Sequence, residues 1–180
     1  MAEPAKVSPL GAGHGKGRHP NHEGAVGLTL SHRLPDALVQ VQAWPDTIDA
    51  VRDALPGDAM AMATGPGRWL LDGDAGLVEA LERPVPIDRG AVTDLTHART
   101  VFRVEGERAA WLVAAGFPLD VHLGAWPVGE TKLSRLHHDI GATIRRDGET
   151  AFELYVFTSF ARSFQEWMET VAAEVGYEIA

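Results

Sequence analysis

The stretch "IGATIRRDGETAFELYVF", residues 140–157, constrains the fold more than any other part of the sequence. Apolar and polar residues alternate on both sides of Asp147-Gly148, and a period of two is typical of half-buried strands. An Asp-Gly pair between two such runs is a strong hairpin signal, because both residue types tolerate the positive φ angles of a tight turn. The stretch therefore predicts an antiparallel hairpin that turns at Asp147-Gly148.

Similar strand signals recur along the chain, and short helical patterns lie between them. The predicted strands are 37–44 ("ALVQVQAW"), 59–63, 68–72, "AVTDL" and "TVFRVEG". The predicted helices are "PDTIDAVRDALPG" with Asp46 as its N-cap, "AGLVEALE", "ERAAWLVAAG" and a last helix that begins near Thr158 or Ser159 and ends at Gly176. Since strands outnumber helices and several are joined by hairpins, the fold class is α+β with mainly antiparallel sheets and packed helices. Doubly wound parallel folds are disfavoured.

The chain is long enough for one sizeable core or for two small packed halves. Residues 1–24 are rich in Gly, Pro and His and nearly lack aromatic and β-branched residues, so we expect a flexible N-terminal tail. Pro84 and Pro86 interrupt the remainder. We therefore expect residues 25–180 to form one domain of two α+β halves, about 25–86 and 87–180.

Composition excludes several classes of function. A formal net charge of −9, without a basic stripe, argues against nucleic acid as a partner. No apolar run approaches the roughly 20 residues that span a bilayer, so we expect no membrane association. The chain has no cysteine, and its first residues lack the apolar core of a signal peptide. Both points favour a cytoplasmic protein.

The candidate catalytic and metal-binding motifs are weak. "GAGHGKG" (11–17) resembles a phosphate loop, but no strand precedes it and Lys16 is followed by glycine. His14, His19 and His22 lie on a segment without the rigid element that a designed metal site needs. Asp120 and His122 would face the same way in a strand, as a carboxylate–imidazole pair does, yet no nucleophile accompanies them. His137 and His138 are adjacent, so in extended chain they point to opposite faces.

Trp126 has a different character. It lies in "LGAWPVG", between glycines and before a proline, and aromatic residues on rigid loops are typical anchors of protein interfaces. A role in the core is an equally good interpretation. We predict that Phe117, Pro118 and Trp126 lie against a partner subunit or in the core between the two halves.

Four stretches of the sequence together resemble the gamma subunit of heterotetrameric sarcosine oxidase. They are "LVQVQAWPDT", "GPGRWLLDGD", the long run from "VTDLTHART" to "KLSRL", and "AFELYVFTSFARSFQEWMETVAAEVG". The most specific pieces are Asp94–Thr100, Pro118–His122 and Ser159–Ser163. The chain is also similar to the gamma-like subunits of N-methylglutamate dehydrogenase and related N-methyl amine demethylases. Gly67 and Arg68 depart from the acidic residues of the family pattern, which leaves the substrate open.

The resemblance implies a non-catalytic structural subunit of a complex that oxidatively demethylates sarcosine or a related N-methyl amino acid. The one-carbon unit would pass to tetrahydrofolate, the co-substrate of the complex. FAD, FMN and NAD would belong to the alpha and beta subunits and zinc to the delta subunit, with no cofactor in this chain. The implied fold is that of the glycine-cleavage T-protein and related tRNA-modification domains, which bind folate. The alternative is a folate-dependent aminomethyltransferase, for which Asp94 and Asp120 are the candidate carboxylates.

Overall fold

A computed structural model of the protein describes residues 7–11, 16–137 and 139–180. Over these residues the chain forms eleven strands, four α-helices and one short 3₁₀ helix. The strands are β1 (Gly17–His19), β2 (Leu28–Arg33), β3 (Ala37–Ala43), β4 (Met60–Gly65), β5 (Arg68–Gly73), β6 (Gly90–Asp94), β7 (Arg99–Glu105), β8 (Thr131–Leu136), β9 (Ile140–Gly148), β10 (Ala151–Phe157) and β11 (Tyr177–Ile179). The helices are α1 (Ile48–Asp53), α2 (Leu77–Glu82), α3 (Ala109–Gly116) and α4 (Ala161–Ala172), and the 3₁₀ turn Thr158–Phe160 leads into α4.

The chain divides into two compact units, the second inserted into the first. One unit comprises the chain up to Leu34 together with Thr100–Ala180, and the other is Pro35–Arg99. The sequence placed the boundary at Pro84 and Pro86. The structure moves this boundary, because β6 lies beyond both prolines and pairs with β3. Similarly, β2 pairs with β7, so the first long strand belongs with the C-terminal part of the chain.

The first unit is a seven-stranded sheet with two helices on one face. The strand order is β1-β11-β2-β7-β10-β9-β8. The pair β11–β2 is parallel, whereas β1–β11, β2–β7, β9–β10 and β8–β9 are antiparallel. Alternate strand residues such as Phe152, Leu154 and Val156 meet Leu112 of α3 and Phe164 of α4 in one apolar core. Burying each such side chain contributes about 1.5–3 kcal/mol.

The second unit is a four-stranded sheet in the order β4-β5-β3-β6, and all three strand pairs are antiparallel. Its separate core joins Val39 and Val41 of β3 and Leu71 of β5 to Val51 of α1 and Leu81 of α2. The turn between β4 and β5 contains Pro66 and Gly67. Gly67 has a φ of 61°, and a Cβ there would lie 2.9 Å from Cγ1 of Ile48, so glycine fits this position best. The predicted α+β class with mainly antiparallel sheets is thus confirmed.

Part of the predicted flexible tail is ordered. Gly17–His19 pairs with β11, and the His19 ring stacks on Tyr177 with 4.6 Å between centroids. Leu10 is buried in the core of the first unit. Residues 1–6 and 12–15, which include His14, lie outside the described residues. The tail prediction erred because local composition carries no information about pairing with a strand at the far end of the chain.

The hairpin at residues 140–157 is present, but its turn lies two residues later than predicted. Gly148 pairs with Ala151, so Glu149 and Thr150 make the turn. Asp147 instead belongs to β9, where two arginine side chains bind its carboxylate. The N-cap of α1 is likewise Thr47, one residue after the predicted Asp46. In the described ranges no helix is long and apolar enough to cross a membrane.

Candidate partner interface around the 117–130 loop

The loop that follows α3 begins at a buried aromatic residue. The backbone of Phe117 turns to an extended conformation and ends the helix, while its N–H still donates to the carbonyl of Val113 at 3.0 Å. Its ring meets Trp167 of α4 edge-on, with 5.9 Å between centroids, and lies 6.3 Å from Phe164. The Phe117 side chain is 2% exposed. It therefore anchors the start of the loop to the core.

Trp126 anchors the other end of the loop. Its side chain is fully buried, and its ring stands edge-on to Phe152 with centroids 5.4 Å apart. The indole N–H donates to the carbonyl of Glu130 at 3.0 Å. This bond gives a buried polar atom the partner that it needs. The ammonium of Lys132 lies 5.4 Å above the ring and donates to the carbonyl of Ala125.

Arg146 of β9 supports the loop from beneath. Its guanidinium donates to the carbonyls of Val121 at 2.7 Å, Trp126 at 3.1 Å and Glu149 at 2.8 Å. It also lies 4.9 Å from the centroid of the Phe152 ring. Arg146 is 2% exposed, and burial lowers the pKa of its guanidinium. A planar fork of donors suits several fixed carbonyls at once, so this residue fixes the shape of the loop.

Of the three residues predicted to lie against a partner subunit or in the core between the two halves, two belong to the core of the first unit. Phe117 and Trp126 have almost no surface left to offer a partner. Their aromatic character serves the internal packing of the first unit, as the alternative interpretation of Trp126 as a core residue anticipated. Pro118 is exposed, and its contact with a partner remains a prediction.

The loop presents an apolar surface above this anchored base. Leu123 is 42% exposed and Val128 is 47% exposed, while Pro118 and Pro127 also face solvent. Beside the loop, the end of α3, Arg135 and His137 line a shallow cavity of about 210 Å³. His137 has a φ of 46° and meets Trp167 edge-on. The arrangement is an edge with exposed apolar residues on a hydrogen-bonded base, and patches of this kind are typical of interaction sites.

Asp120 and His122 do not form the carboxylate–imidazole pair that a strand would allow. They lie in a turn rather than a strand: Asp120 Oδ1 accepts the backbone N–H of His122 at 2.9 Å. His122 Nδ1 accepts the N–H of Gly124 at 3.2 Å, so this nitrogen does not donate to the carboxylate. Each side chain stabilises its own turn. The pair would need an extended backbone, which this segment does not have.

The two carboxylates considered for folate chemistry belong to different units. Asp94 lies at the end of β6 in the second unit, and its Oδ1 accepts the backbone N–H of Thr96 at 2.8 Å. Asp120 lies in the first unit. Among the described residues, no three His, Asp or Glu side chains come close enough to hold a metal ion. His22 and Glu23 form one exposed pair at 3.7 Å, and His138 lies outside the described residues.

A charged network crosses the same sheet, and the sequence analysis missed it. The Asp147 carboxylate accepts from Arg103 at 2.5 Å and from Arg145, and Arg103 also pairs with Glu105 at 3.1 Å. The bond from Arg103, with help from Arg145, holds the pKa of the Asp147 carboxyl below its ordinary value. The same contact raises the pKa of Arg103. These side chains are partly exposed, so the net stabilisation is about 1 kcal/mol or less.

The sequence does contain a signal for Arg146. In β9 the residues Ala142, Ile144 and Arg146 alternate onto one face, and the first two are core residues. An arginine at the third inward position of an alternating strand indicates a buried cation that needs carbonyl or carboxylate partners. The prediction of a turn at Asp147-Gly148 concealed this signal.

Comparison with known proteins places this geometry in context. Residues 15–174 match the sarcosine oxidase, gamma subunit family. A solved structure of heterotetrameric sarcosine oxidase from Corynebacterium sp. U-96 in complex with pyrrole 2-carboxylate is similar, with a TM-score of 0.75 and 22% identity over 84% of this chain and 88% of that one. The glycine cleavage system aminomethyltransferase T from Bartonella henselae has a TM-score of 0.60 and 15% identity over 87% of this chain and 48% of that one. No curated protein matches the sequence.

Proposed function

Because this chain belongs to the sarcosine oxidase, gamma subunit family, we propose that it is a non-catalytic subunit of a heterotetrameric flavoenzyme. The complex oxidatively demethylates sarcosine or a related N-methyl amino acid in the cytoplasm and passes the one-carbon unit to tetrahydrofolate. The partners are alpha, beta and delta subunits, which hold FAD, FMN, NAD and zinc. This chain contributes a docking surface and no cofactor site.

One observation carries the non-catalytic role: the candidate acid and base groups already serve their own turns. Asp94 and Asp120 each accept a backbone N–H two residues on, and His122 accepts a third. These bonds tie each side chain to its local backbone, and His122 Nδ1, as an acceptor, does not donate to a carboxylate that would orient the ring as a general base. These groups therefore support local structure.

The docking surface that we propose is the exposed apolar edge of the 117–130 loop. Pro118, Leu123 and Val128 project from a backbone that Phe117, Trp126 and Arg146 hold in place. Ordering a surface before association lowers the entropic cost of binding. A rigid apolar edge is therefore well suited to a permanent subunit contact.

Co-expression with the partner subunits tests the assignment. We expect a complex that contains this chain in fixed stoichiometry and buries more than about 2,000 Å² at its interfaces, as obligate assemblies do. The chain purified alone should be colourless and without oxidase activity. A chain that stays a monodisperse monomer in the presence of the alpha and beta subunits would contradict the proposal.

The docking surface has its own test. The double variant Leu123→Asp and Val128→Asp should weaken assembly by on the order of tenfold or more, since each carboxylate would have to be desolvated in the interface. Ile87→Asp is the matched control, because Ile87 is 81% exposed in the other unit. If the double variant and Ile87→Asp weaken assembly equally, the loop is not part of the interface.

The second candidate function is a folate-dependent aminomethyltransferase. Similarity to the fold of aminomethyltransferase T favours it, but the chain spans about half the length of that protein. Titration of tetrahydrofolate into the isolated chain separates the two candidates. We expect no heat of binding, whereas saturable binding that is lost in Asp94→Asn would support the transferase.

A further inference from the structure

The outer strand of the four-stranded sheet has an open hydrogen-bonding edge. β4 is the terminal strand of the order β4-β5-β3-β6 and pairs only with β5. In the described part of the chain, the backbone of residues 60–63 forms no hydrogen bond outside that ladder. In an antiparallel edge strand, alternate N–H and C=O groups point away from the sheet. They form a template for another strand.

The terminal strands differ in how their edges are protected. β1 carries Arg18, β8 carries Lys132 and Arg135, and β6 ends at Asp94. Charged side chains of this kind discourage pairing with other chains. β4, "MAMATG", has no charged residue and no proline over six residues. The register of its pairing with β5 shifts next to the turn, between Ala63 and Gly65. From Met60 to Ala63 the register is continuous.

Small side chains leave room for a further strand beside β4. Ala61 and Ala63 are exposed, and their pairing with Leu71 and Trp69 places them on the core face of this sheet. A strand added at this edge would extend the apolar surface of that face. An uncharged edge with exposed methyl groups is an aggregation liability unless a partner covers it.

A cavity of about 290 Å³ lies at the start of β4. Its lining indicates which side chain an added strand would place there. It is lined by Ala59, which precedes β4, by Leu77 of α2, and by Asp58 and Asp74. Both carboxylates are exposed, and among the described residues neither has an ion-pair partner. A segment that runs along β4 into this cavity would gain most from a Lys or Arg at that end.

We propose that β4 receives an extended segment of a partner subunit as a fifth strand, with a basic side chain of that segment between Asp58 and Asp74. The inference rests on the proposed heteromeric assembly and adds a second contact, on the second unit. A second copy of this chain fits less well, because residues 58–65 contain no Lys or Arg for the carboxylates. Main-chain bonds would give affinity, and the cavity would give register.

Amide hydrogen exchange measured on the chain alone and in the co-expressed complex tests this inference. About half of the amides of residues 60–63 should exchange on the order of tenfold more slowly in the complex, because outward N–H groups become bonded. If the complex forms and these amides do not change, the β4 inference is wrong while the subunit assignment stands. Failure to form any complex would contradict the subunit assignment itself. Protection in the chain alone, together with a dimeric mass, would assign the edge to a second copy and overturn the inference.

Two sets of variants test the same inference through the affinity of assembly. Ala61→Lys with Ala63→Lys should weaken assembly by on the order of tenfold, since it adds the protection that β4 lacks. Ala50→Lys, on exposed α1, is the control. Asp58→Asn with Asp74→Asn should weaken assembly by about two- to fivefold, against Glu82→Gln with Asp88→Asn as a control of equal charge change. Effects no larger than those of the controls would overturn the inference.

Discussion

A single arginine holds the conformation of the 117–130 loop. Arg146 takes the place of an apolar residue on the inward face of β9 and satisfies carbonyls that come from two different turns. No carboxylate within ion-pair distance neutralises it in the described part of the chain. Its stability in the core therefore depends on hydrogen bonds to neutral acceptors and on the Phe152 ring.

Replacing this arginine tests that role. Arg146→Met should lower the free energy of unfolding by about 2–4 kcal/mol, because buried carbonyls lose their donors. Arg146→Lys should recover little, since an ammonium cannot reproduce the planar fork. Urea unfolding measures both changes. Arg162→Met is the control: Arg162 is exposed, pairs only with Glu166 among described residues, and should change stability by less than about 0.5 kcal/mol.

The Asp147 carboxylate predicts a pH dependence of stability. The pKa of Asp147 in the folded protein lies below its ordinary value because of Arg103. Its contribution is therefore fully present above the pKa of the unfolded state and is lost as pH falls through the folded pKa. The free energy of unfolding of the wild type should exceed that of Asp147→Asn by about 1 kcal/mol at pH 7. This difference should shrink below about pH 4. A difference that stays constant down to pH 2 would contradict the ion-pair account.

At the scale of elements, α3 and α4 approach closely at one glycine. A Cβ on Gly116 would overlap ring carbons of Trp167 and lie 2.7 Å from Cδ1 of Leu136. Gly116 is thus required by packing and not only as the end of a helix. The sequence predicted that Gly116 ends a helix. A local pattern cannot predict its close contact with Trp167, which lies 51 positions further along the chain.

Gly116→Ala should destabilise the protein by about 1–3 kcal/mol through overpacking. Gly141→Ala is a suitable comparison, because nothing lies within 4 Å of the position of its Cβ. Thermal unfolding of the two variants checks this prediction. Equal melting temperatures would show that α4 shifts freely to make room.

Elements with a strong periodic pattern were predictable, and those defined by distant partners were not. β3 follows its alternation and α4 its three-to-four spacing, and both lie within the predicted ranges, although α4 ends at Ala172, four residues before Gly176. β1 and β11, three residues each, exist because they pair with one another and β11 with β2. β8, "TKLSRL", exists as the partner of β9. Composition and period report on burial of a face, whereas pairing across the chain is a tertiary property.

At the scale of the whole molecule, the same limit explains the errors at the proposed interface. The motif "LGAWPVG" indicates a rigid loop, and hydrogen bonds from Arg146 and Lys132 hold this one to the sheet. The sequence does not reveal on which side of that loop the aromatic ring lies, because Arg146 and Phe152, which receive Trp126, are 20 and 26 residues away. For the same reason, the sequence does not reveal that Pro35–Arg99 forms a separate inserted unit.

The central claim is that this chain supplies contacts and no chemistry, and turnover per flavin in the assembled complex tests it most directly. Asp94→Asn and Asp120→Asn, introduced together, remove both candidate carboxylates while leaving an acceptor oxygen for each turn. We predict turnover within about twofold of the wild-type complex. A fully assembled complex whose turnover falls by about tenfold or more would contradict the claim and place an acid or base of the reaction on this subunit.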